Sequence, residues 1–179
     1  MIPAVLERAM VTHGVKSKAS FGISARNQAH VMTILRDTLY SDRILAVLRE
    51  YSTNAWDAHK DAGKADLPIK VTLPTSMEPN LVIRDYGFGM TPEQVYEIYT
   101  QYGESTKRLT DDQNGMLGIG SKSAFAYSDS FSITSWNAGK KRIYVAVLDD
   151  TNVGEIQLLD ESDCGDETGI EIQVSVKED

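Results

Sequence analysis

Glu50, Asn54 and Asp57 fall in the run Arg49-Glu-Tyr-Ser-Thr-Asn-Ala-Trp-Asp-Ala58. On a helix, spacings of four and three bring all three to one side. A carboxylate, a carboxamide and a second carboxylate on one stripe make a poor core. They suit holding a hydrated Mg²⁺ ion and activating a water molecule. A solvated helix face carries the same residue types, so the stripe gains meaning only from the motifs that follow it.

Two glycine-bearing motifs follow. Ile83-Arg-Asp-Tyr-Gly-Phe-Gly-Met90 comes directly after the apolar run Leu81-Val-Ile83. A buried strand ends there and the chain turns sharply, with glycines taking conformations that other residues resist. Asp85 at such a strand end can accept a hydrogen bond from an exocyclic amine such as that of adenine. The plainer alternative is a hairpin turn with a solvated Asp. The second motif is Asn114-Gly-Met-Leu-Gly-Ile-Gly-Ser-Lys-Ser-Ala-Phe-Ala126. Gly115, Gly118 and Gly120 precede a helix expected to open at Ser121, whose free N–H groups and positive dipole end suit phosphate. Lys122 or Lys107 adds a positive charge. The spacing is not that of a Walker P-loop, nor does the run follow a strand as a dinucleotide fingerprint does. The alternative here is a glycine loop with a Ser cap.

In this order the motifs resemble those of the GHKL ATPases, the Bergerat-fold superfamily of gyrase B subunits, ninety-kilodalton heat-shock chaperones, histidine kinases and MutL proteins. The first box of that superfamily, Glu-x-x-x-Asn-x-x-Asp-Ala, is matched by Glu50, Asn54, Asp57 and Ala58. Its second box, Asp-x-Gly-x-Gly, is matched by Asp85, Gly87 and Gly89, and its lid glycines by Gly115, Gly118 and Gly120. A Thr before the last strand resembles Thr168, although Glu167 stands where the superfamily usually has Gly. Four runs, Ser17-Lys-Ala19, Gly120-Ser-Lys-Ser123, Phe131-Ser-Ile-Thr-Ser135 and Thr168-Gly-Ile-Glu-Ile172, are also similar to the amino-terminal part of the phage rapid-lysis proteins of the rIIA type.

The resemblance implies ATP bound with Mg²⁺. Asn54 would be the metal ligand and Glu50 the catalytic residue that orients or deprotonates water. Asp85 would accept from adenine with support from Thr168, while Gly87, Gly89 and Met90 line the base. Gly115, Gly118, Gly120, Ser121 and Lys122 would cradle the phosphates, and Asp57 would stand behind Asn54. Relatives often complete catalysis with a lysine from a following domain, so slow turnover by this domain is expected. The resemblance also implies ATP-dependent dimerisation in which residues 1 to 22 take part. An ATP-hydrolysing switch of the rIIA type is the first reading. A nucleotide-gated interaction module, a DNA-topology, mismatch-repair or chaperone-type ATPase, a histidine-kinase domain and a non-nucleotide α+β domain stand beside it.

The elements that must position these residues are legible in outline. Residues 28 to 37 read as a helix, and Asp42 opens a longer one with Ile44, Leu45, Val47 and Leu48 toward the core and Gly63 at its end. Residues 69 to 73 and 80 to 84 read as strands. Thr91-Pro-Glu-Gln94 predicts a capping box opening a helix to about Tyr102. Residues 103 to 120 lack an apolar period and read as a lid over the nucleotide. A short helix at 121 to 127 leads to strands at 131–136, 142–148, 155–159 and 169–176. The expected fold is an α+β two-layer sandwich, a mostly antiparallel sheet covered on one face by helices, formed as a single domain over residues 1–179. Trp56 is expected in the core or an interface, and His59 as a solvated helix-end residue.

Composition narrows the function classes. The chain has 179 residues and a formal net charge of −8, with a pI near 4.9. That argues against direct nucleic-acid binding through clustered Lys and Arg. Cys164 is the one cysteine; it reads as a loop residue in a reducing compartment, with no intramolecular disulfide. No stretch resembles a signal peptide or a spanning helix, so a cytoplasmic protein (of the bacterial host, if phage-encoded) is expected rather than an integral membrane one.

Overall fold

The computed structural model describes residues 42–100, 120–148 and 154–176. Helix α1 spans Arg43–Asp61. Asp42 caps it, its carboxylate accepting from the Leu45 amide at 2.9 Å. At the other end Gly63 takes φ +67°. The Gly63 and Lys64 amides donate back to the Lys60 and His59 carbonyls at 3.0 and 2.7 Å, closing the helix with a Schellman pattern. Strands β1 (Lys70–Thr72) and β2 (Asn80–Arg84) follow. Helix α2 covers Pro92–Thr100. Its capping box is present as expected: the Thr91 amide donates to Gln94 Oε1 at 2.9 Å, and the Gln94 amide to Thr91 Oγ1 at 3.3 Å.

A 3-10 helix at Gly120–Ala126 leads into β3 (Ser130–Asn137), β4 (Lys140–Leu148), β5 (Gly154–Asp163) and β6 (Gly169–Ser175). Ala138 and Gly139 both have positive φ, +53° and +74°. That geometry makes the tight β3–β4 hairpin follow the strand twist. The sheet has six strands in the order β1-β2-β6-β3-β4-β5, and every pairing is antiparallel. The architecture is the expected α+β sandwich, with the helices on one face.

Alternation along the strands fills the space between the layers. Leu81 and Ile83 of β2, Phe131 and Ile133 of β3, Tyr144 and Ala146 of β4, and Ile170, Ile172 and Val174 of β6 all join one buried cluster. Val47, Tyr51 and Ala55 of α1, Val95 and Tyr99 of α2, and Phe125 of the 3-10 helix meet them. Phe131 is the hub: its ring centroid lies 6.2 Å from Tyr51, 6.0 Å from Tyr99 and 5.0 Å from Phe125. One side chain of the sheet therefore touches all three helical elements.

Several expectations are corrected. The helix after Gly120 is a seven-residue 3-10 segment. Ile44 and Leu45 are 56% and 59% exposed; the inner face of α1 is carried by Ala46, Val47, Tyr51 and Ala55. Trp56 is 48% exposed, which excludes the core and leaves the interface half of that expectation. His59 is fully buried rather than solvated. Strand β5 runs past Leu159 into the polar stretch up to Asp163. Lys140 pairs with Asp163 at 2.7 Å and Arg142 with Glu161 at 2.6 Å across the β4–β5 ladder. Those cross-strand pairs favour a strand over the loop that polarity alone suggests. Residues 28–37, the segment 1–22 and most of the expected lid lie outside the described residues. Among the described residues no helix is long and apolar enough to cross a membrane.

Phe131→Ala should destabilise the domain by about 3–5 kcal/mol, the usual range for emptying a buried aromatic site. Urea unfolding followed by circular dichroism measures it; a loss below about 1 kcal/mol would mean that the three helical elements do not depend on this contact.

Candidate functional site

The last ladder bond of β2 is donated by the Asp85 amide to the Ile170 carbonyl at 2.8 Å. Beyond it the chain turns, and the Asp85 side chain stays on the helix-facing side in register with Leu81 and Ile83. It is 6% exposed. Oδ1 accepts from the Gly87 amide at 2.8 Å and from the Ile170 amide at 3.2 Å. Both bonds run to Oδ1, so Oδ2 is the oxygen available to a ligand. Burial pushes the carboxyl above its ordinary value, while the two amides and Arg84 pull it back.

Glycine is required at two positions just after this carboxylate. A Cβ at Gly87 would lie 2.9 Å from Ala58 Cβ, so the turn rests directly on the second half of α1. Gly89 has φ +70°, and a Cβ there would collide with the Trp136 carbonyl. The next residue, Met90, is pinned by Ser135: the Met90 amide donates to Ser135 Oγ at 2.9 Å, and that hydroxyl donates to the Met90 carbonyl at 2.8 Å. Asn137 Nδ2 donates to the Phe88 carbonyl at 3.0 Å. The segment thus passes close over the end of β3.

Arg84 points to the opposite face of the sheet. Its guanidinium stacks 3.8 Å above the Trp136 ring, donates to the Thr168 carbonyl at 2.9 Å and reaches the Asp85 carbonyl. Thr168 lies at the start of β6, its hydroxyl 3.5 Å from the Tyr86 carbonyl and accepting from Lys64 Nζ at 3.2 Å. The structure therefore gathers Asp85, Gly87, Gly89, Met90 and Thr168 at one end of the sheet. Ser135, Arg84, Lys64 and His59 join them there, and none of these four carried a signal of its own in the sequence.

The other half of α1 meets the 3-10 helix. Tyr51, buried, donates from its hydroxyl to the Ser121 carbonyl at 2.8 Å and accepts from the Ala124 amide at 3.3 Å. This tie brings Gly120 against Glu50, such that a Cβ at Gly120 would lie 2.5 Å from Glu50 Oε2. Glu50 Oε1 pairs with Arg49 Nη2 at 3.0 Å, with 19% of the Glu50 side chain exposed. Tyr51 could have been found in the sequence, because it falls on the Val47-Tyr51-Ala55 stripe of α1. Asn54 is half-buried and Asp57 buried on the same helix.

Lys122 and Ser121 face inward. Lys122 Nζ donates to the Ile98 carbonyl of α2 at 2.8 Å, and Ser121 Oγ to the same carbonyl at 3.3 Å. Lys122 is 3% exposed, and desolvation pulls its ammonium down to about 8. Gly115, Gly118 and Lys107 lie outside the described residues. Among the described residues no group of three His, Cys, Asp or Glu side chains is placed to hold a metal ion. A carboxamide such as that of Asn54 fits Mg²⁺ chemistry, in which most ligands are waters and phosphate oxygens.

One helix therefore carries both ends of the site. Glu50 meets Gly120 at one end, Ala58 meets Gly87 at the other, and Asn54 stands midway. Eight residues of helix separate the ends by about 12 Å. Residues 42–169 match the family model described as "Histidine kinase-, DNA gyrase B-, and HSP90-like ATPase". The chain is 26% identical to the chaperone protein HtpG of Rickettsia akari, over 83% of its own length and 27% of that protein. It is 28% identical to HtpG of Pseudoalteromonas translucida, over 64% of its length and 21% of that protein. The chain spans about a quarter of the length of these relatives. With the match covering most of its residues, it belongs to the histidine kinase-, DNA gyrase B- and HSP90-like ATPase family, whose ligand is ATP.

Proposed function

We propose that this domain, a single unit over residues 1–179, binds ATP with Mg²⁺ and hydrolyses it slowly, using the nucleotide as a conformational switch. The observation that carries the reading is the arrangement along α1: a buried carboxylate on a glycine turn at one end, a second carboxylate against a glycine at the other. That spacing can meet the base of a nucleoside triphosphate at one end and its phosphates at the other. Asp85 Oδ2 accepts from the adenine amine, and Gly89 and Met90 line the base. Gly120 and Ser121, with Gly115 and Gly118, cradle the phosphates. Asn54 offers its carboxamide oxygen to Mg²⁺, which supplies charge neutralisation on the phosphates. Glu50 orients or deprotonates the attacking water. Lys122, turned to the Ile98 carbonyl, serves the packing of the 3-10 helix in the described arrangement.

The similarity to HtpG favours a chaperone-type setting, and the resemblance to the GHKL ATPases adds ATP-dependent dimerisation to that reading. The runs around Gly120-Ser-Lys-Ser123 and Thr168-Gly-Ile-Glu-Ile172 support the alternative of a phage rIIA-like switch. Purification of the native protein with its bound partners separates the two: a client polypeptide supports the first, a component of a phage lysis system the second.

Asp85→Asn should abolish measurable ATP binding and leave the protein folded. The Gly87 and Ile170 amides hold the carboxamide oxygen at the Oδ1 position, so the amide nitrogen faces the adenine amine, donor against donor. The variant should also unfold at an equal or higher temperature than wild type at pH 7 without nucleotide. The sign follows from the upward shift of Asp85: the folded state prefers the protonated acid. Wild type then gains stability as the pH falls through the folded value toward the ordinary one, whereas the Asn variant does not. The advantage of the variant should shrink on acidification. Calorimetric titration with a non-hydrolysable analogue and thermal melts at pH 7 and 5 test both parts; unchanged ATP affinity in Asp85→Asn removes the adenine assignment.

Glu50→Gln should keep ATP affinity but lose turnover by about 10²–10⁴-fold, the usual value of general-base assistance. Asn54→Ala should lose the Mg²⁺ dependence of binding instead. Phosphate release and titrations with and without Mg²⁺ distinguish them, and equal turnover in Glu50→Gln and wild type would leave a binding module without hydrolysis.

A further inference from the structure

Past Asp85 the chain has left the ladder, so the peptide groups of the turn must find partners elsewhere. They find them in side chains. The Asp85 carbonyl accepts from the Arg84 guanidinium. The Tyr86 amide donates to His59 Nε2 at 2.8 Å. The Tyr86 carbonyl accepts from Lys64 Nζ at 2.6 Å. The Gly87 amide donates to Asp85 Oδ1 at 2.8 Å. Both peptide units between Asp85 and Gly87 are thereby held at each end. The fourth of these bonds ends on the carboxylate itself.

His59 and Lys64 reach this turn from the end of α1 and the residues just after it. His59 is fully buried. Because the Tyr86 N–H is a donor, Nε2 must present its lone pair. The proton then sits on Nδ1, which donates to the Leu67 carbonyl at 2.9 Å and fixes the ring. Lys64 extends its grip to the Thr168 hydroxyl at 3.2 Å, tying the start of β6 to the same turn. A rotation of either peptide would swing the Gly87 amide and drag the Asp85 carboxylate with it.

We propose that His59 and Lys64 form a two-sided clamp on Tyr86 that fixes the Asp85 carboxylate and thereby sets the preference for adenine over guanine nucleotides. Both are positioning residues acting through Asp85; the inference rests on Asp85 as the adenine acceptor. At the purine 6-position adenine carries an amine and guanine a carbonyl. A fixed carboxylate accepts from the first and repels the second, whereas a carboxylate free to turn discriminates less.

The test uses the whole 179-residue chain. Affinities for non-hydrolysable ATP and GTP analogues are measured for wild type, His59→Gln, His59→Asn, Lys64→Met and Asp85→Asn. Gln places an oxygen near the Nε2 position and keeps the bond from Tyr86. Asn reaches only the Nδ1 position and keeps the Leu67 bond alone. His59→Asn and Lys64→Met should each weaken ATP binding roughly tenfold, as for loss of one buried hydrogen bond with some reorientation, with little change for GTP. His59→Gln should restore most of the preference. If the ATP-to-GTP ratio in His59→Asn and Lys64→Met equals that of wild type while Asp85→Asn still loses ATP, the clamp is overturned and the adenine assignment stands. If Asp85→Asn keeps ATP, the assignment itself has failed. Should His59→Asn not fold, Lys64→Met decides alone, because Lys64 is only half-buried and its aliphatic stem is retained.

Discussion

A carboxylate kept out of water, with its charge held by backbone amides, is the constraint on which the candidate site depends. Asp85 is 6% exposed, and its two bonded donors are main-chain N–H groups from its own turn and from β6. Amides can hold that charge only if the backbone carrying them is fixed. Gly87 lies against Ala58, Gly89 passes beneath the Trp136 carbonyl, and the peptides around Tyr86 are gripped by Arg84, His59 and Lys64. The geometry at the end of β2 thus follows from the need to support one charged group. An acid that resists ionisation costs the protein stability, a cost that the adenine amine of the proposed reading would offset.

Helix α1 connects this end to the other. It supplies Ala58 beneath the Asp85 turn, His59 to the Tyr86 amide, Tyr51 to the 3-10 helix and Glu50 to Gly120. A rigid helix between two ends of a ligand acts as a ruler, because its rise per residue is fixed. The caps matter for the same reason. Asp42 and the Schellman closure at Gly63 set where the helix begins and ends, and so where Lys64 emerges toward Thr168.

The parts legible in the sequence were those set by short-range chemistry. Asp42, the Thr91–Gln94 box and Gly63 act within a few residues of themselves, and each sits where its residue type predicts. The Asp85-x-Gly-x-Gly turn was visible for the same reason. What stayed hidden depends on distant partners. Tyr51 meets Ser121 across 70 residues, Lys64 meets Thr168 across 104, and Ser135 meets Met90 across 45. Local pattern also misled in definite ways. Ile44 and Leu45 are apolar and lie one turn before the buried stripe, yet they face solvent. His59 looked like a surface residue because its acceptor role exists only once β2 has ended beside it.

The family model over residues 42–169 shows the family, and identity at 26–28% with much longer relatives leaves open what this chain does with a nucleotide. The geometry narrows that. The recognition end is built from backbone held on many sides, including a fully buried imidazole. The end proposed to hydrolyse rests on the Glu50 carboxylate, paired with the exposed Arg49 and abutting Gly120. The proposed slow turnover accords with that asymmetry: affinity would be set where the backbone is already fixed, and rate by a carboxylate that shares its charge with a neighbouring guanidinium.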